Sequence, residues 1–251
     1  MLRTLDSMSG YDIQAKDGEI GSVRDFLFDD ENWTIRYFVV DTGPWLFGRK
    51  VLISPQSVGQ PSWEGGVLPV NLTEEEVENS PEMDLQKPVS RQMQEAINEH
   101  YGWDSYWATL PTGSSAGTPA AAPPASAPMA TEDIEGSELK GDPHLRSADE
   151  VVGYRIGAID GEIGTVNDFL VEDDGWTIRY MIVDTGTWLT GREVLVATEW
   201  IDKVSWERSL VQVKMGRKDI EASPEYSRTM PLDRDYERRL HEHYGMTGYW
   251  A

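Results

Sequence analysis

Residues 39–45 read VVDTGPW and residues 182–188 read IVDTGTW. Aspartates in two such turns could share one proton and activate a water against a peptide bond, because two touching carboxylates cannot both ionise. Asp41 and Asp184 are therefore the first candidates for chemistry, one from each half of the chain.

The surroundings of the two turns argue for something plainer. In aspartic peptidases the residue after the glycine supplies a hydroxyl and an N–H to the carboxylate, and Pro44 offers neither. A later apolar-apolar-glycine segment must also cross the loop. Gly59 stands where this is needed in the first half, but its counterpart is Asp202. Each turn instead runs at once into the next strand, as WLFGRKVLI or WLTGREVLV. Aspartate and threonine hydrogen-bonding a turn opened by glycine account for the motif without catalysis. The peptidase stands last among the readings, and no catalytic residue is assigned.

Other polar clusters point the same way. Asp29, Asp30 and Glu31, with Glu172, Asp173 and Asp174, are acidic hairpin tips. Three consecutive acids point different ways and cannot surround an ion, so they read as solvated turns. His100 and His243 fall in the last turn of a helix, where a partly charged imidazole suits the dipole. His241, two residues from His243, faces elsewhere and reads as structural or superficial. The chain has no cysteine. Neither a metal site nor a cofactor is expected.

The aromatic residues are more informative. Ten tryptophans serve 251 residues. Trp45, Leu46 and Phe47, and Trp188 and Leu189 with Thr190, occupy connections rather than strands. These residues read equally as a plug over the barrel end or the seam between copies and as a partner-binding anchor, since an exposed tryptophan beside apolar neighbours suits docking. Phe47 makes the first loop the stickier of the two.

These groups are set on a repeat. A slide of 143 positions lays residues 1–108 on 144–251 without a gap, DGEIGSVRDFL on DGEIGTVNDFL and WTIRY on WTIRY. The halves are joined by residues 109–143, rich in proline, alanine, glycine and serine, which cannot build a core. Such a linker reaches roughly 30–35 Å, enough to let the copies sit side by side.

Within each copy, Asp17-Gly18 and Asp160-Gly161 signal hairpins, and a bulge is expected beside Gly21. Trp33, Ile35, Tyr37 and Val39 alternate as one face of a strand. Phe38 and Val40, with Met181 in the second copy, give the other face an apolar patch that something must cover. Val89, Met93, Ala96, Ile97 and Tyr101 form a helical stripe closed by Gly102, and Leu232, Tyr236, Leu240 and Tyr244 form another closed by Gly245. The expected fold is mainly β: two tandem small antiparallel β-barrels, each followed by a C-terminal amphipathic helix. The boundaries are barrel 1–72, helical extension 73–108, linker 109–143, barrel 144–215 and extension 216–251. Phe38, Val40, Met93, Ile97, Tyr101, Trp107, Met181, Tyr236, Leu240, Tyr244 and Trp250 are the candidates for packing between copies.

The ordered set D-G-E-I-G-x-V-x-D-F-L, W-T-I-R-Y and V-D-T-G-x-W-L-x-G-R-x-V-L resembles the PRC-barrel family, over about residues 4–72 and 147–215. That family includes the cytoplasmic barrel of the photosynthetic reaction-centre H subunit and the C-terminal domain of a ribosome-maturation factor. The resemblance implies a docking module rather than an enzyme. The expectation is a scaffold or adaptor that binds a protein partner through an intrachain pseudo-dimer, with homo-oligomerisation left open. An accessory subunit of an electron-transfer complex is the alternative, although the H subunit's membrane helix is missing.

Net charge is −22, which repels nucleic acid and anionic lipid. No apolar run has the length of a membrane span. The N-terminal residues lack the apolar core of a signal peptide. A cytoplasmic protein with no nucleic-acid partner and no membrane insertion is the expectation.

Overall fold

A computed structural model describes residues 1–81, 89–108, 142, 144–186, 191–230 and 232–251. The first copy runs β1 (Leu2–Thr4), α1 (Leu5–Met8), β2 (Asp12–Gln14), β3 (Glu19–Asp29), β4 (Thr34–Asp41), β5 (Lys50–Ile53), β6 (Val67–Pro69), α2 (Glu74–Glu78) and α3 (Arg91–Tyr101). The second runs β7 (Leu145–Ser147), α4 (Ala148–Val151), β8 (Arg155–Ala158), β9 (Gly161–Glu172), β10 (Ile178–Asp184), β11 (Glu193–Ala197), β12 (Ile201–Ser205), β13 (Leu210–Val213), α5 (Arg217–Glu221) and α6 (Arg234–Tyr244).

Two mainly antiparallel sheets result, ordered β5-β4-β3-β2-β6 and β11-β10-β9-β8-β13-β12. The expectation of purely antiparallel barrels needs correction. Each sheet has one parallel pair, β2 with β6 and β8 with β13, and neither strand path closes on itself. The bulge falls at Ile20, where the register of β2 on β3 skips a residue. The aspartates of the Asp-Gly turns also cap helices. Asp17 accepts from the Glu74 N–H at 2.8 Å and Asp160 from the Arg217 N–H at 2.7 Å, at the starts of α2 and α5.

The copies interlock by exchanging their first strands. β1 pairs with β9 of the second copy, and β7 pairs with β3 of the first. Charges hold each arm in place. Arg3 Nε lies 3.2 Å from Asp173, and Arg146 Nε lies 3.1 Å from Asp30. The guanidiniums of Arg3 and Arg146 also stack over Trp63 and Trp206, at 3.8 and 4.3 Å. The α-amine of Met1 reaches Asp173 as well. Asp30 and Asp173 of the acidic tips are thus receptors for basic arms, while Glu31 and Asp174 stay exposed. Their position beside the partner arm, not their composition, decides this. Arg146→Ala is expected to lower stability by about 1–2 kcal/mol, measured by urea denaturation, since it removes a partly buried charge-assisted contact.

Between the arms the main chains meet directly. Ile35 N–H donates to the Trp176 carbonyl at 2.9 Å and Ile178 N–H to the Trp33 carbonyl at 2.6 Å. Trp33 and Trp176 adopt left-handed backbone, φ 54° and 58°, which costs a bulky residue energy. That conformation places Trp176 edge-on to Phe38 of the other copy, with centroids 4.9 Å apart, and leaves Trp33 stacked on Phe28 at 5.2 Å. Phe28 meets Phe169 at 6.0 Å. A single apolar core therefore runs through both copies.

The helical stripes form as their spacing predicts. α3 ends at Gly102 and α6 at Gly245, both left-handed, with φ 68° and 63°. The surface they cover is not the Phe38 and Val40 face of β4. Ile97 packs with Leu27, Tyr37, Val39 and Leu52, joined by Met93 and Tyr101. Phe38 and Val40 face the main core instead. With both faces of β4 apolar, alternation alone cannot say which face is inner.

Candidate docking surface

The Asp-Thr-Gly segments are turns. Asp41 Oδ1 accepts from the Gly43 N–H at 2.9 Å, while the Thr42 hydroxyl donates to the Arg49 carbonyl at 2.7 Å. Asp184 and Thr185 repeat this with Gly186 and Arg192, at 2.8 and 2.6 Å. The structure does not bring the two aspartates together. β4 and β10 leave the antiparallel bridge Thr34–Thr177 in opposite directions. Seven residue steps of about 3.3 Å put Asp41 and Asp184 roughly 20 Å to either side of it. Carboxylates so placed cannot share a proton.

The first turn seats a short loop beyond the far end of its sheet. In the first copy Gly48 N–H closes on the Gly43 carbonyl at 2.6 Å, with both glycines left-handed at φ 77° and 55°. Behind the loop, the Arg49 guanidinium grips the Glu78 and Ser80 carbonyls at the end of α2. The second copy keeps the same frame. Gly191 N–H closes on the Gly186 carbonyl at 2.5 Å, and Arg192 grips the Glu221 and Ser223 carbonyls.

The tip of the first loop is unusual in two ways at once. Phe47 is 99% exposed, and its backbone is left-handed with φ 57°. A bulky residue in that conformation is a rare and unfavourable choice. Here the result is a bare ring directed into solvent. Trp45 and Leu46 are half-buried beneath it, and Trp45 packs against the main core. A rigid, anchored turn with one presented aromatic has the form of a partner-binding anchor. Trp188 and Leu189 lie outside the described residues.

The residues named for packing between copies separate into two groups. Phe38 lies at the seam against Trp176, while Val40 and Met181 are fully buried in the common core. Those of the helical extensions sit with their own copy. Met93, Ile97 and Tyr101 cover β3, β4 and β5. Trp107 lies under Arg91 at 4.2 Å. Tyr236 donates to the Pro224 carbonyl, Tyr244 packs on Trp200 at 4.7 Å, and Trp250 lies on His241 at 4.9 Å. Leu240 is fully buried on the same helix. The helices are thus not the join; exchanged arms and hairpin tryptophans are.

Sequence reasoning missed two groups. The arms Leu2–Thr4 and Leu145–Ser147 are three residues each and carry no periodicity. His241, read as structural or superficial, is 2% exposed and bonded to Tyr180 and Thr247. Its position one helical turn after Glu237, on the apolar stripe, was the available signal. Where the hairpins of the two copies meet, two equivalent clefts of about 240 and 230 Å³ open at the seam. Arg36, Tyr106 and Trp176 line one, and Arg179, Tyr249 and Trp33 line the other. Among the described residues no group of three or more acids and histidines is placed to hold a metal ion, and no helix is long and apolar enough to cross a membrane.

Comparison with known proteins agrees with the strand pattern. An uncharacterized protein of Deinococcus radiodurans is 41% identical over 68 residues. That match covers 25% of this chain and 25% of the relative's length. The family model of the PRC-barrel domain matches residues 3–77. The segment from the exchanged arm β1 to the helix α2 is accordingly a PRC-barrel domain.

Proposed function

We propose that the chain is a non-catalytic scaffold: two small barrels of PRC type, locked as an intrachain pseudo-dimer, that present apolar loops to protein partners. The second copy repeats the sequence of the first and its element order with one strand added, β12, which supports reading it as a second such barrel. The observation that carries the proposal is Phe47, fully exposed on strained backbone above a half-buried anchor. In this reading the Phe47 loop engages a partner surface, and the chain works in the cytoplasm.

Phe47→Ser is expected to change stability by less than about 0.5 kcal/mol, because the ring touches little. In affinity capture from a native lysate it should nevertheless lose the stoichiometric partner that the intact chain retains. A partner held equally well by both would move docking away from this loop. The peptidase reading has its own check. With the two carboxylates so far apart, casein incubated at pH 4 should stay intact, and cleavage abolished by Asp41→Asn would overturn the non-catalytic reading.

A further inference from the structure

The second copy holds a buried titratable chain where the first has amides. Glu237 and His241 lie one turn apart on α6, both buried beneath Tyr180. The equivalent positions are Gln94 and Asn98, beneath Tyr37. There Tyr37 donates to Asn98 Oδ1 at 3.2 Å, and Gln94 donates to Asp142 at 2.8 Å. An amide carries both donor and acceptor at every pH. An imidazole and a carboxylate do not.

Counting hydrogens exposes a deficit. His241 Nδ1 lies 3.1 Å from the Thr247 carbonyl, which only accepts, so Nδ1 carries a hydrogen. Nε2 lies 2.9 Å from the Tyr180 hydroxyl, and that hydroxyl lies 3.1 Å from Glu237 Oε1. Three contacts in line need three hydrogens, but a neutral imidazole and a phenol supply two. With the imidazole neutral, Tyr180 donates to Nε2 and its oxygen faces the carboxylate with no hydrogen between them. One proton from solvent completes the chain. Nε2–H then donates to Tyr180, whose own hydrogen turns to Glu237.

The surroundings set when this happens. Burial is the largest influence and holds His241 below its ordinary 6.5, against the bond to Thr247 and the charges of Glu199 and Glu237, while Arg234 adds to the lowering. Arg234 also lies 3.0 Å from Glu237 Oε2, and Tyr249 donates to Oε1 at 2.7 Å. Arg179 of β10 stacks over Tyr249 at 4.0 Å, and Tyr244 and Trp200 close the remaining side.

We propose that Glu237, Tyr180 and His241 form a proton-binding site belonging to the second copy alone, whose occupancy swings the Tyr180 hydroxyl between imidazole and carboxylate. Tyr249 shares the same carboxylate oxygen and lines the seam cleft whose other wall includes Trp33 of the first copy. Proton uptake therefore reaches the seam. Its sign follows from the lowered value. The unfolded chain takes the proton first, so stability falls as pH drops below about 6.5 toward the folded value.

The test is nitrogen-resolved NMR of the imidazoles in the intact chain from pH 8 to 4.5. His241→Asn, which installs the first copy's residue, identifies the signal among the four histidines. At pH 8 His241 should be the Nδ1–H tautomer, and it should titrate below 6.5 with the fold intact. Glu237→Gln, which removes a charge that favours the imidazolium, should lower the midpoint further. Should that variant fail to fold, Tyr180→Phe, which removes the swinging hydroxyl, should still move the midpoint. An Nε2–H tautomer at pH 8, a midpoint that neither variant moves, or no titration before unfolding would each overturn the proposal.

Discussion

Alanine at Gly164 is expected to lower stability by about 3 kcal/mol or more, with the same result at Gly21. Both glycines have φ near 150°, at 151° and 148°, a backbone that side chains rarely adopt. Space is the second obstacle. A methyl at Gly164 would fall 1.9 Å from the Asp184 carbonyl oxygen, and one at Gly21 would fall 2.1 Å from that of Asp41. Those neighbours are main chain and cannot swing aside. Because the same aspartates open the Asp-Thr-Gly turns, any relief of the clash displaces the loop seat as well. Gly153 supplies the comparison, with φ 91° and nothing within 4 Å of an added methyl. Alanine there should cost only its strain, about 1–3 kcal/mol. Urea denaturation followed by tryptophan fluorescence compares the three. Equal small losses at all three would show that Gly164 and Gly21 are not in contact with the turn.

Phe169→Ala is expected to cost about 3–5 kcal/mol and to weaken both copies together. The ring is fully buried and meets Phe28 across the seam at 6.0 Å. Its removal opens a cavity in the core that the two copies share, rather than in one half. The variant should therefore still unfold in one transition, with a lower midpoint and an unchanged slope. Two separated transitions, one of them at the unaltered midpoint, would mean that each copy keeps its own core.

Much of this architecture is written in the sequence, and the exceptions have physical causes. The duplication is explicit, and the helices declare themselves through stripes that end at Gly102 and Gly245. The meaning of D-G-E-I-G becomes clear only in three dimensions: the aspartate caps a helix, and the second glycine admits the Asp41 or Asp184 carbonyl. The exchanged arms were invisible for a different reason. Leu2-Arg3-Thr4 and Leu145-Arg146-Ser147 are near copies, so pairing within a copy and pairing between copies look alike in sequence. The acidic tips were misread for the same reason, since their partners arrive from the other half. At β4 both faces are apolar, and which one meets α3 depends on packing that parity does not encode. Exposure of Phe47 could be anticipated from its place in a connection. The left-handed backbone that presents it could not, because phenylalanine gives no sign of that conformation.

The central claim is that the copies hold each other through the exchanged arms and not merely through the chain that joins them. A protease recognition sequence inserted within residues 112–140 of the intact chain allows that connection to be cut after folding. Analytical ultracentrifugation at low micromolar concentration then reads the result. If the arms and the seam hold, the cut protein sediments as one particle with the mass of the uncut chain. Two separate species of about half that mass would contradict the account.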